Sequence, residues 1–165
     1  MDIDRTRRDL TIFADYHSFE VRDAHADYDL AAINDTAADL QRDLISSRDG
    51  VVTVGTVRRR NVPVTVEIVE AAPPADLAPW DHVTEASVEI ASGQILVLGG
   101  SDSRRSAHRF DVPVGVYRVR TRCEGFGTIS VDGINGHDTY HVQIWPGSAR
   151  RTTVLKRFTG GLPTR

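Results

Sequence analysis

Six histidines, a single cysteine, and patterned arginines and aspartates are the residues of this chain with chemistry to offer. His137 and His141 stand four apart around Asp138, a spacing that could bring two imidazoles and a carboxylate together. Zinc takes three or four protein ligands in a fixed geometry, and no further ligand lies nearby in sequence, so neither a metal nor a cofactor is assigned. Cys123 shares an alternation phase with Tyr117, Val119 and Thr121. On a strand that phase points inward, where a thiol is a small, inert core residue. As the only cysteine it closes no intramolecular disulfide, which fits a reducing compartment. No Gly-x-Ser-x-Gly elbow, phosphate loop or dinucleotide fingerprint occurs. No catalytic residues are therefore named, and a non-enzymatic protein is expected.

The charged residues suggest two surfaces. Arg118, Arg120 and Arg122 alternate out of one strand as a basic stripe that Arg104, Arg105 and Arg109 could extend, an arrangement suited to phosphates. Single-strand binding also needs stacking aromatics beside the arginines. Aromatics are 7% of the chain, and Tyr117 takes the opposite phase. Glu85 and Glu89 form an acidic row of the same period, so cross-strand ion pairing accounts for the stripe and nucleic acid is only the alternative partner. Residues 1–50 hold twelve Asp/Glu against six Arg, whereas residues 101–165 hold five against eleven Arg/Lys. Within the acidic stretch, Asp35, Asp39 and Asp43, flanked by Asp23 and Asp27, could meet a basic cleft such as that of a nuclease. The competing reading is a solvated helix face.

These groups need a scaffold. At 165 residues, 40% hydrophobic and 26% charged, the chain fits one domain with enough apolar surface for a core. A charged beginning and the lack of a long apolar run predict a cytoplasmic protein with no membrane segment. Short Val-, Ile- and Thr-rich runs broken by Gly, Pro, Asn and Asp predict an all-β protein, mainly an antiparallel β-sandwich, with about nine strands and one short helix. The sandwich should cover residues 1–158, with 159–165 a flexible tail.

The first strand runs from Leu10 to Arg22, with a bend between Phe13 and His17 where the alternation changes phase. Residues 51–57 and 62–70 read as one hairpin, and 83–90 with 94–98 as another. Pro63 belongs at an edge or a strand start. Residues 71–80 read as a proline-rich loop crossing between sheets, 99–107 as a mobile polar loop and 128–131 as a strand. Ile33, Ala37, Leu40 and Leu44 define the apolar side of the helix, with Thr36 to Asp39 as a capping box.

Two resemblances follow from local motifs. The run from His108 to Tyr117, with Pro113-Val114-Gly115, is similar to the Pro-x-Gly turn of cupin barrels. No His-x-His exists and Arg118 follows Tyr117, which argues against a metal-dependent cupin enzyme. A ligand- or metal-binding barrel of cupin-like shape stands as an alternative. Asp15-Tyr16-His17-Ser18-Phe19, Arg48-Asp49-Gly50-Val51-Val52-Thr53-Val54, Phe110-Asp111-Val112-Pro113-Val114-Gly115-Val116-Tyr117 and Asp138-Thr139-Tyr140-His141-Val142-Gln143-Ile144-Trp145 resemble, in order and rough spacing, the competence protein J family. The resemblance implies an inhibitor of a nuclease, and hence a protein partner. It carries over no defined inhibitory residues.

Overall fold

The computed structural model describes residues 6–27 and 33–162. In chain order the elements are β1 (Thr6–Phe13), β2 (Ser18–Asp23), α1 (Ile33–Asp43), β3 (Ile45–Arg48), β4 (Val51–Gly55), β5 (Asn61–Ile68), β6 (His82–Ile90), β7 (Gln94–Gly99), β8 (His108–Asp111), β9 (Gly115–Glu124), β10 (Thr139–Pro146) and β11 (Thr153–Lys156). Short 3-10 turns lie at Asp15–His17 and Phe126–Thr128. A six-stranded sheet, β1-β5-β10-β9-β6-β11, packs on a five-stranded sheet, β3-β4-β2-β7-β8. Every pairing is antiparallel except β10 with β5. The expected all-β fold with one short helix is found. Among the described residues no helix is long and apolar enough to cross a membrane.

One apolar core fills the space between the sheets, with Phe19, Val52, Val54, Val64, Val66, Ile95, Val119, Tyr140 and Ile144 all buried. That shared core explains where the expected connections change. The two runs read as hairpins are each split between the sheets: β4 pairs with β2 and β3, β5 with β1 and β10, β6 with β9 and β11, and β7 with β2 and β8. Alternating apolar residues can face one core from either side, so their pattern does not distinguish a hairpin from a crossing between layers. The true tight hairpin joins β3 to β4 through Asp49 and Gly50, both at positive φ (34° and 81°). β3 carries no alternation signal in the sequence, because Ile45-Ser46-Ser47-Arg48 offers a single apolar residue.

The bend expected after Phe13 is a complete break, with β1 in one sheet and β2 in the other. Pro63 sits near the start of β5, one residue before pairing with β10 begins at Val64. Thr36 lies inside α1 and so is no cap. Leu40 and Leu44 are buried, Ala37 is exposed, and Leu44 leaves the helix at φ 59° to enter the core. Residues 128–131 form a turn closed by the Ser130 and Asn135 backbones, not a strand. The 99–107 loop is anchored: the Gly99 N–H donates to Asp102 (2.8 Å), and Arg104 donates to the Ala26 carbonyl (2.6 Å).

Gly99 is required by close approach, since a Cβ there would lie 2.1 Å from the Phe13 carbonyl oxygen. Gly99→Ala must part β7 from the end of β1, an overpacking worth about 1–3 kcal/mol. Urea denaturation should report that loss; an unchanged midpoint would show that the two strands separate freely.

Candidate functional site

The arginine stripe lies on the outer face of the six-stranded sheet, and it is covered. Cross-strand register places Arg7, Glu67, Gln143, Arg120 and Glu85 in one row and His141 beside Arg122 in the next. Glu85 accepts from Arg118 Nη2 at 3.1 Å and from Arg120 Nε at 2.8 Å. Residues 71–80 run across these side chains. Arg120 donates to the Pro73 carbonyl (2.9 Å) and to Gln143 (3.2 Å), while its guanidinium stacks on Trp145, 4.7 Å from the ring centre. Arg122 stacks on Trp80 at 4.4 Å and meets His141 Nδ1. Arg118 and Arg120 are each only 5% exposed. The cross-strand carboxylate and the proline-rich segment thus occupy guanidinium donors of Arg118 and Arg120 that a phosphate would need, and Trp80 covers Arg122.

The aspartates proposed for partner contact fall into different environments. Asp23 is buried and organises a turn, accepting from the His25 N–H (3.1 Å), the Ser92 N–H (3.0 Å) and the Ser92 hydroxyl. Those Ser92 and His25 bonds, set against its burial, hold its carboxyl below the usual range. It drops out of any contact surface because its oxygens are engaged within the fold. Asp27 is exposed, and the side chain of Asp35 lies outside the described residues. Asp39 pairs with Arg42 (3.0 Å) and Arg48 (3.4 Å), and Asp43 with Arg42 (2.8 Å) and Arg157 (2.7 Å). Asp39 and Asp43 thus stand on α1 with their counter-charges attached, which weakens long-range steering by these acids.

Nor do the histidines assemble a metal site. His137 is exposed in the loop before β10, while His141 is on the outer sheet face, and among the described residues no group of three or more metal-ligating side chains occurs. His82, buried under the C-terminal segment, accepts the Phe158 N–H at Nδ1 (3.2 Å) and therefore carries its proton on Nε2, toward the Asp43 carbonyl (2.8 Å). Burial holds His82 below its ordinary value, and burial with the neighbouring Arg122 does the same for His141. Both favour the neutral ring in the fold. Their contribution to stability is present above the unfolded value of about 6.5 and is lost as pH falls through the lower folded values. Melting temperature should decline from pH 7 to pH 5, and His82→Asn should flatten that decline; an unchanged slope would show that His82 charges in place.

A different cluster, unforeseen from the sequence, occupies the loop end of the sandwich where the chain crosses between sheets. Asp138 is fully buried and pairs with Arg58, and it accepts the Tyr140 hydroxyl at 2.8 Å. That hydroxyl in turn accepts the Val57 N–H at 2.8 Å. Burial next to Asp138 raises the Tyr140 phenol well above its usual range. Beside it, Asp15 accepts from Arg59 (2.7 Å) and from Ser101, bonds that lower its carboxyl. These anchors hold Tyr16 and His17 at φ 58° and 56°, left-handed conformations unusual for such residues. The ring of Tyr16 projects 73% exposed with the Arg59 guanidinium 5.5 Å from its centre. Phe13, Val131 and Ile134 are exposed nearby. In the sequence, Asp15-Tyr16-His17 is part of a family-like motif and Arg58-Arg59-Arg60 falls between the two runs of the expected hairpin, so neither signals the other.

No family model matches the sequence, and no curated protein matches it. Among solved structures the chain is similar to ComJ from Bacillus subtilis, described as an inhibitor of the DNA degrading activity of NucA. The TM-score is 0.53 at 15% identity, over 86% of this chain and 96% of that one. It is also similar to the product described as crocagin biosynthetic gene J, with a TM-score of 0.60 at 13% identity, over 88% of this chain and all of that one. Identities this low carry the architecture and not the activity. The two sheets, their crossings and the short helix make up a ComJ-like fold.

Proposed function

We propose that this chain is a non-enzymatic binding protein that restrains a nuclease. The observation that carries the reading is the match in fold to an inhibitor of DNA degradation over 86% of this chain and 96% of that one. The chemistry of the interior agrees with it. Cys123 is buried, and burial pushes its thiol far up, away from nucleophilic use. Asp138, His82, Glu85 and His141 each hold another part of the fold. Because Asp39 and Asp43 are balanced by Arg42, Arg48 and Arg157, the contact is expected to depend on shape and apolar burial more than on net acidity.

The test is capture on the immobilised full chain from a lysate of its source organism, followed by a DNA-cleavage assay of the eluate. A captured cleavage activity silenced by one equivalent of added protein supports the reading. An eluate that does not cut DNA, or one that cuts equally well with excess protein, overturns it.

A further inference from the structure

We infer that the loop end formed by Phe13, Tyr16, Arg59, Arg60 and Ile134 is a protein-docking surface whose partner presents an apolar pocket ringed by carboxylates. The inference rests on the reading of the chain as a binding protein and names the surface that would do the binding. Four of the six exposed large hydrophobic residues among those described, Phe13 (40%), Tyr16 (73%), Val131 (101%) and Ile134 (42%), belong to this end. The two loops that carry them meet at the arginine run. The Ala14 N–H donates to the Arg60 carbonyl (2.9 Å), Asp132 feels the Arg60 charge, and a Cβ on Gly136 would lie 3.5 Å from Arg58 Cδ.

Backbone strain gives a second, independent argument. Left-handed φ at two consecutive non-glycine residues is unfavourable, and such strain persists where the surroundings over-determine it. Asp15 does so here, accepting the Tyr16 N–H (3.0 Å) together with Arg59 and Ser101. The result is a fixed backbone that directs an aromatic ring away from the core. Tyr and Arg are among the residue types enriched at interface hot spots, and a side chain already placed for contact costs less to order on binding.

Charge defines the partner. The carboxylates that compensate Arg58 and Arg59 lie behind them, Asp138 fully buried and Asp15 8% exposed, while Arg59 is 56% exposed and Arg60 faces solvent. The outward chemistry is thus apolar groups and guanidinium donors, which carboxylates around an apolar pocket would satisfy. A nucleic acid fits less well. Stacking of bases would use only Phe13 and Tyr16 and would leave Val131 and Ile134 in water beside a charged backbone, whereas an apolar pocket covers all four.

The experiment is selection of a phage-displayed random peptide library on the immobilised full chain, with a fluorescent dT20 oligonucleotide as the second probe. Peptides that join Asp or Glu to aliphatic or aromatic residues should be enriched. Their affinity should fall about tenfold or more in Tyr16→Gly and in Arg59→Ala, and stay unchanged in Val114→Ala, an exposed apolar residue just before β9, at the opposite end of that strand from the loop that carries Val131 and Ile134. Glycine adopts the left-handed conformation freely, so Tyr16→Gly should melt no lower than about 2 °C below the wild type. Loss of binding in that variant then reports the side chain and not the fold. Failure to enrich such peptides, or peptides that bind Tyr16→Gly as well as the wild type, would overturn the surface. Oligonucleotide binding abolished by the same substitutions would overturn it in favour of nucleic acid. Because the selection involves no nuclease, the surface can survive failure of the nuclease reading, and the reverse.

Discussion

Glu85→Ala is expected to destabilise the protein by about 3–5 kcal/mol, the range for removing one member of a buried ion network. Glu85 is the carboxylate shared by Arg118 and Arg120, whose side chains are 7% and 5% exposed. Without it two guanidinium groups remain under residues 71–80 with fewer acceptors. Ser87 Oγ still accepts from Arg118 (2.6 Å), and the Pro73 carbonyl from Arg120 (2.9 Å), but both are neutral. Against a typical total of about 5–15 kcal/mol the loss is large, and the melting temperature should drop by on the order of 10 °C. Stacking of Arg120 on Trp145 makes tryptophan fluorescence a local reporter. The triple variant Arg118→Met, Glu85→Leu, Arg120→Met should recover most of the stability, because stranded charge and not lost attraction is the main penalty. A single variant within about 1 kcal/mol of the wild type would mean that the arginines reach water by lifting the proline-rich segment.

The second large effect belongs to Asp138. Asp138→Ala is expected to lose about 3–5 kcal/mol, because it strands Arg58 and removes the acceptor of the buried Tyr140 hydroxyl. Tyr140→Phe keeps the ion pair but leaves the Val57 N–H unbonded, for a smaller loss of about 1–3 kcal/mol. Both substitutions loosen residues 56–60, which carry the chain from one sheet to the other. Amide exchange at Val57 should therefore accelerate in both variants, and more in Tyr140→Phe, which removes its acceptor outright. Equal losses in the two would refute the ion pair as the dominant contribution and leave the tyrosine hydrogen bond as the main anchor.

The sequence motifs and the three-dimensional fold agree on family likeness for a reason rooted in turns. Asp49-Gly50 requires positive φ, and the run from Phe110 to Tyr117 closes on itself, the Tyr117 hydroxyl donating to the Pro113 carbonyl at 2.6 Å. Such positions are local, so residue type alone marks them. The ion pairing of the arginine stripe was legible for the same kind of reason, since Arg120 and Glu85 take the same outward phase and need only adjacent strands to meet.

What the sequence by itself determined is therefore the class of the protein: strands from period-two alternation, a change of direction after Phe13 from a change of phase, though not that the chain leaves one sheet for the other there, and an inward Cys123 from its neighbours. Tertiary structure alone decided which strands share a sheet, because valines of β4 and β5 alternate identically whether they face one core from the same layer or from opposite layers. It also decided which charges remain available. Asp23 and Arg118 look like surface groups in one dimension, but the first is engaged by Ser92, 69 residues away, and the second by Glu85, 33 residues away. Pairings at that separation depend on strand order, and strand order is not written in local periodicity.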